Sequence, residues 1–183
     1  MNILAILGSP RKNGNTSELL NKYLEGIKEN YRDVSVDEIF LQGEKIQPCT
    51  ACNSCKKGDG AECKINDDMQ KYYNKVENAD LLIFATPIYW FNMSAQTKIF
   101  IDRLYALNFK KFPADKKLVL LMTFGDKDEK LSGAVNVINI FKYFTDFLKM
   151  DFVQHYGTSS EIGPAKKAES LEEVYSLGKN LIL

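Results

Sequence analysis

Three near-continuous apolar runs punctuate the chain: "NILAIL" (2–7), "LLIFAT" (81–86) and "KLVLLMTF" (117–124). Strands covered on both faces of a parallel sheet read this way, so these three are expected at its centre. "VSVDEIFL" (34–41) alternates apolar and polar residues in part, which suits an edge strand. A weaker strand is expected near 152–158. The segments between have helical spacing. Leu20, Leu24 and Ile27 line one face of a helix that starts near Asn15, where Asn15 as cap and Glu18 form a capping box. Further helices are expected at about 67–77, 94–107 and 132–149, and a last one carries Leu171, Val174, Tyr175, Gly178 and Leu181.

This alternation gives five βα units with right-handed crossovers, hence an α/β, doubly wound, five-stranded parallel sheet. An edge position for the second strand selects the order 2-1-3-4-5. Residues 1–183 read as one domain with a cysteine-rich insertion loop at about 45–66. Ligands in such sheets bind at the carboxyl ends of the strands, where the order reverses. The loops of interest are therefore 8–15, 42–66, 86–93 and 124–131.

Composition narrows the function classes. Lys plus Arg equals Asp plus Glu at 24 each, so no field draws the chain to nucleic acid or to an anionic membrane. The apolar start lacks a basic n-region and meets Gly8 too soon for a secretion signal, and no apolar run has the length of a membrane span. The expectation is a soluble cytoplasmic protein.

Two loops carry the ligand chemistry. "GSPRKNGNTS" (8–17) joins the first strand to a helix N-terminus, whose free amides and dipole favour an anion. Ser9, Asn13, Asn15, Thr16 and Ser17 add short polar groups, and Arg11 and Lys12 add charge. The turn is neither a Walker loop nor GxGxxG, so a single terminal phosphate, as on FMN, suits it better than ATP or a pyrophosphate; the plain alternative is an ordinary polar turn. "TPIYWFNMS" (86–94) follows the most apolar strand. Pro87 is expected to break that strand and Ser94 to cap the next helix. Ile88, Tyr89, Trp90 and Phe91 offer an apolar surface for a planar ring, although core or subunit contacts explain them equally well. "TFGD" (123–126) supplies a third wall.

All four cysteines lie in "PCTACNSCKKGDGAEC" (48–63). Four thiolates at this spacing suit iron–sulfur ligation, and the CxxCxxC run is like the start of a bacterial ferredoxin pattern. Zinc is a competing ligand, although its usual pattern is two separated CxxC pairs. Plain thiols and disulfides complete the alternatives. The loop follows strand two and is expected on the same sheet edge as the phosphate and ring loops.

"GSPRKNGNTS", the cysteine loop, "CKINDDM" and "ADLLIFATPIYWFNMSAQTKIFIDR" together resemble the flavodoxin-like NAD(P)H-dependent FMN reductases, and within them the iron–sulfur flavoproteins. The resemblance covers nearly the whole chain and implies a flavodoxin-like fold with tightly held FMN. It implies a phosphate on Ser9, Arg11, Asn13, Asn15, Thr16 and Ser17. It places the isoalloxazine against Pro87, Ile88, Tyr89, Trp90, Phe91 and Asn92, with Thr123 and Gly125 nearby. It implies a [4Fe–4S] cluster on Cys49, Cys52, Cys55 and Cys63, and a homodimer or homotetramer in which "NIFKYFTDFL" (139–148) is a candidate contact. The function so implied is that of a flavin-dependent oxidoreductase passing electrons between the cluster and FMN, with ferredoxin or NAD(P)H as donor. A cluster-free NAD(P)H-dependent FMN or quinone reductase is the alternative, and a flavodoxin-like electron carrier a third.

Other polar residues are read as structural. His155, the lone histidine, lies on a late strand and is read as structural rather than catalytic, and no Ser/His/Asp set is possible without it. Asp67 and Asp68 resemble helix-cap carboxylates, Asp102 and Arg103 structural ion-pair partners, and Lys110–Lys117 a solvated basic turn.

Overall fold

The computed structural model describes residues 1–58, 62–107 and 116–182. Strands β1 (Asn2–Leu7), β2 (Ser35–Phe40), β3 (Leu81–Tyr89), β4 (Asn92–Met93), β5 (Lys117–Phe124) and β6 (Asp151–Ser159) form the sheet, with helices α1 (Asn15–Asn30), α2 (Gln70–Asn78), α3 (Ala95–Arg103), α4 (Glu129–Ser132), α5 (Ala134–Leu148) and α6 (Pro164–Lys179) around it. The sheet order is β2-β1-β3-β5-β6, all parallel, with β4 paired antiparallel to the end of β3. Leaving aside the two-residue β4, this is the expected order 2-1-3-4-5.

The apolar runs take the centre because both sheet faces are covered. Leu4, Ile6, Leu82, Phe84, Leu120 and Met122 face α2, α3 and α5, where Val76, Phe100 and Phe141 meet them. The alternate residues Ile3, Ala5, Ile83, Val119 and Leu121 face Leu20, Tyr23, Leu24 and Ile27 of α1 and Val174 of α6. On this second face α1 and α6 touch backbone to backbone. A Cβ on Gly26 would lie 2.1 Å from the Tyr175 carbonyl oxygen, and one on Gly178 would lie 2.2 Å from that of Tyr23. Ion pairs Glu18–Lys167 and Glu29–Lys179, both 2.6 Å, flank the seam.

Several local expectations change. Gly14, in extended conformation, is the N-cap of α1 and provides no side-chain cap, so the capping box at Asn15 does not form. Glu18 turns to Lys167 instead. Pro87 does not break β3. It lies beyond the last β1–β3 pair, Leu7↔Ala85, so its missing N–H interrupts no ladder on that side. β6 runs a full nine residues, but a bulge places Val153 between the partners of Leu118 and Val119. Lys116 is not solvated: it is 3% exposed and its Nζ donates to the carbonyls of Glu77 and Ala79, while 110–115 of the expected basic turn lie outside the described residues. Among the described residues, no helix is long and apolar enough to cross a membrane.

Candidate functional site

Gly8 ends β1 in a tight weld. Its N–H donates to Ala85 O at 2.8 Å and its carbonyl accepts from Ser94 Oγ at 2.6 Å. Ser94 also caps α3 as expected, accepting from the Thr97 amide at 3.3 Å. The Thr97 hydroxyl meets Ser94 Oγ at 2.9 Å and donates to Thr86 Oγ1 at 3.2 Å. All three hydroxyls are buried, and a Cβ on Gly8 would lie only 1.8 Å from Thr97 Oγ1. Glycine is required here by close approach. The weld fixes where the 8–17 turn leaves the sheet.

From that anchor the turn runs to the first turn of α1. The first-turn amides have no intrahelical acceptor, and Gly14 has no side chain to offer one. Ser9 is buried and its Oγ accepts the Arg11 amide at 3.1 Å. Thr16 is also buried, bonded to Thr123 Oγ1 at 2.6 Å, which ties the helix start to the end of β5. Arg11, Asn13 and Asn15 are exposed and Ser17 is half-buried. Of the six expected phosphate residues, then, Ser9 and Thr16 shape the turn from within, and the others stand at its surface.

β3 continues past Pro87 to Tyr89 and reverses into β4 through Trp90 and Phe91, at φ 47° and 62°. Two successive left-handed residues make the kind of turn whose twist matches a hairpin, but non-glycine residues there carry strain. The hairpin is held from behind. Gly133, at φ 79°, lies so close that a Cβ would be 2.6 Å from Phe91 Cα, and Asn136 Nδ2 donates to Phe91 O at 3.3 Å. Asn92 closes the turn by accepting the Met93 amide at 2.8 Å. Pro87 and Ile88 are buried, whereas Trp90 is 93% exposed. Ile88, Tyr89, Trp90 and Phe91 form one side of an open cavity of about 560 Å³, and Phe124, Gly125 and Asp126 form the other. Thr123 contributes through its bond to Thr16 rather than by lining it. Leu131 and Ser132 also line this cavity and are not singled out by the sequence pattern, whereas Asp126 belongs to the expected "TFGD" wall.

The cysteine loop leaves β2 at the same sheet edge but does not stay there. Gln42 accepts from Gln96 near the start of α3, whereas Gln47 and Cys63 meet Arg103 at its end. The loop therefore descends beside α3 to Arg103, whose backbone lies about 13 Å along that helix from Ser94 and whose guanidinium meets Cys63. All four cysteines are free and line one cavity of about 30 Å³ together with Arg103 and Tyr105. Among the described residues, no three Cys, His, Asp or Glu side chains converge closely enough to hold a metal ion. Hydrogen bonds from Ser54 and Thr50 lower the exposed Cys52 thiol to about 7, whereas burial pushes Cys55 up.

Arg103 and Asp67, set aside in the sequence, belong to this site. Arg103 Nη1 donates to Asp67 Oδ2 at 2.6 Å and to Gln47 O at 2.8 Å; Nη2 donates to Asp67 Oδ1 at 3.1 Å and to Cys63 Sγ at 3.5 Å. Asp67 Oδ2 also accepts the Gln47 amide at 2.8 Å, and Oδ1 the Met69 amide at 3.1 Å. Burial opposes the charge on both groups. Their pairing outweighs it, holding Asp67 below the usual carboxylate value and Arg103 above its own. Asp102 also lines the cysteine cavity but pairs with Lys98, at 2.6 Å, rather than with Arg103.

Residues 1–160 match the family described as NADPH-dependent FMN reductase. An iron–sulfur flavoprotein of Methanosarcina thermophila is 38% identical over 125 residues, covering 68% of this chain and 63% of that protein. Another, of Archaeoglobus fulgidus, is 40% identical over 105 residues, covering 57% and 46%. The chain thus spans about half the length of these relatives. YwqN of Bacillus subtilis, which carries the name of an NAD(P)H-dependent FMN-containing oxidoreductase, is 32% identical over 158 residues, 83% of this chain and 81% of that one. Among solved structures, an NAD(P)H:quinone oxidoreductase from Methanothermobacter marburgensis superposes with TM-score 0.77 at 17% identity, over 98% of this chain and 95% of that one. An azoreductase from Bacillus anthracis gives 0.79 at 19% identity, over 99% and 100%. These likenesses bear out the flavodoxin-like fold. With residues 1–160 matched end to end, the chain belongs to the NADPH-dependent FMN reductase family.

Proposed function

We propose that the chain is an FMN-dependent oxidoreductase whose four cysteines hold a [4Fe–4S] cluster. The observation that carries the flavin reading is the common anchor of its two loops. The hydroxyl weld at Gly8 fixes the anion-ready turn to the same strand end from which the aromatic hairpin projects. The first-turn amides of α1, with Ser17, Asn13, Asn15 and Arg11, receive the phosphate. Tyr89, Trp90 and Phe91 flank the ring, and Gly125 gives it a backbone wall. FMN bound there supplies hydride and single-electron chemistry. The open side of the cavity admits NAD(P)H and the acceptor. NAD(P)H or reduced ferredoxin is the donor, and a quinone-like compound suits the aromatic groove as acceptor.

The cluster reading is supported by donor chemistry. Four free thiols share one cavity beside a buried guanidinium, and the relatives named iron–sulfur flavoprotein match this chain at 38–40% identity. Cys49, Cys52, Cys55 and Cys63 would hold the irons. A cluster-free NAD(P)H-dependent FMN or quinone reductase is favoured instead by the lack of convergence among the described sulfurs and by the likeness to YwqN. Tyr143 and Phe147, exposed on α5, support self-association as a homodimer or homotetramer. The proposed location is the cytoplasm.

Anaerobic purification with flavin, iron and sulfide analysis tests the proposal. The expected product carries one FMN with four irons per chain, and the Trp90→Ala variant stays folded but reduces acceptor more slowly. Protein that takes up FMN, bleaches rapidly with NAD(P)H and stays free of iron after reconstitution overturns the cluster. Protein that takes up no FMN overturns the whole reading.

A further inference from the structure

Arg103 combines two properties that a plain structural ion pair does not need. It is 1% exposed, and its Nε is, among the described residues, a buried side-chain donor with no partner. A buried donor left unmet is costly, and more so on a charged group. Its remaining N–H groups span the cysteine loop. They reach Gln47 O on the near side, and Cys63 Sγ and the Asp67 carboxylate on the far side. Gln70 reinforces the far side, its Nε2 donating to Cys63 O at 2.9 Å and Ile65 O at 2.6 Å. Tyr73 OH fixes the end of α3 by donating to Arg103 O at 3.3 Å. The guanidinium therefore closes the base of the loop and lines the cavity that the four cysteines share.

We propose that Arg103, held by Asp67, is the positioning and charge-tuning residue of the cysteine centre: its guanidinium donates to the Cys63 sulfur and keeps Nε–H for a second anionic sulfur in the cavity. This rests on the cluster reading above. Each one-electron reduction makes a thiolate-ligated cluster more negative. A hydrogen bond and a positive charge at one of its sulfurs favour that reduced state and raise the potential. The Asp67 carboxylate, bonded to the same guanidinium, partly offsets the charge. The pair thus sets the potential by opposed contributions, and removing either partner moves it in opposite directions.

That opposition is the test. The full chain, with FMN and a reconstituted cluster, is titrated with dithionite and the cluster followed by electron paramagnetic resonance. Arg103→Gln is expected to lower the reduced-to-oxidised ratio at a fixed potential at least tenfold, or 59 mV for a one-electron couple. Asp67→Asn is expected to raise that ratio. The FMN potential serves as internal control and moves less, because Arg103 does not line the aromatic groove. Should Arg103→Gln fail to fold, Arg103→Lys keeps the charge, loses the Nε–H and the fork, and is still expected to lower the ratio. Cluster potentials that do not separate, or that move the same way in both variants, overturn the proposal and leave a structural ion pair. A wild-type chain that binds FMN but takes up no iron and sulfide overturns instead the cluster reading beneath it.

Discussion

Adding one methyl group at Gly8 should damage both folding and the proposed flavin site, and a second substitution should repair the damage. The new Cβ of Gly8→Ala lies 1.8 Å from Thr97 Oγ1, about 1.6 Å inside the ordinary contact range that begins near 3.4 Å. A shift of a few tenths of an ångström does not relieve this. Thr97 is β-branched and buried in the first turn of α3, so its hydroxyl must leave Ser94 and Thr86 for the methyl to fit. Overpacking costs about 1–3 kcal/mol. Two displaced hydrogen bonds add about 1 kcal/mol each, giving about 3–5 kcal/mol for Gly8→Ala. Thr97→Ala alone loses the same two bonds without the clash, about 2 kcal/mol. In the double variant the nearest remaining atoms are Thr97 Cβ at 3.2 Å and Ser94 Oγ at 3.3 Å, tight but tolerable. Its cost should approach the about 2 kcal/mol of Thr97→Ala, so the coupling in a double-mutant cycle should approach the whole Gly8→Ala cost, about 3–5 kcal/mol. Urea denaturation of the four proteins measures this. Quenching of FMN fluorescence on binding should show about a tenfold loss for Gly8→Ala, equivalent to 1.4 kcal/mol, with partial recovery in the double variant. A Gly8→Ala protein within about 0.5 kcal/mol of wild type, or strictly additive substitutions, would refute the weld.

Two further outcomes follow from the buried pair and the helix seam. Asp67 is held below its ordinary 3.8, so its contribution is complete above that value and is lost as pH falls through the lowered folded pKa. Asp67→Asn should cost about 3–5 kcal/mol near neutrality by stranding Arg103, and the gap to wild type should narrow in acid, as denaturation at several pH values will show. Gly178→Ala forces a methyl against the Tyr23 carbonyl at 2.2 Å and should cost about 1–3 kcal/mol with no change in FMN affinity. A melting temperature equal to wild type would contradict the contact.

The parts of the fold that depend on local pattern were legible in the sequence. The runs holding Ile6, Phe84 and Leu120 are apolar throughout because each strand buries both faces, and this alone places them at the centre. The edge position of β2 follows from its partial alternation. Other features have no local signature. Trp90 and Phe91 form a turn without Gly or Asn, so no local signal marks the hairpin and Pro87 reads as a strand end. The bulge at Val153 breaks the alternation that would have made β6 plain. Gly14 rather than Asn15 is the N-cap of α1, its backbone being the extended one, so the helix starts one residue earlier than the capping pattern suggests. Of the site, the polar turn, the aromatics and the thiols were visible as residue types. Arg103 was not, because its partners Gln47, Cys63 and Asp67 lie 36 to 56 positions away. The descent of the cysteine loop beside α3 also depends on contacts between distant segments, Gln42 with Gln96 and Gln47 with Arg103.

The glycine contact between α1 and α6 bears on how the protein is made. Residues 15–30 leave a ribosome well before residues 175–178, which form the surface on which Gly26 and Tyr23 close. Until then Tyr23, Leu24 and Ile27 lack their final cover, and the face of the sheet they share stays partly open. The layer over α2, α3 and α5 needs nothing beyond β6, so it can settle first. The nascent protein should pass through a one-sided stage, and co-translational chaperones that shield apolar surface would find their target on the α1 side.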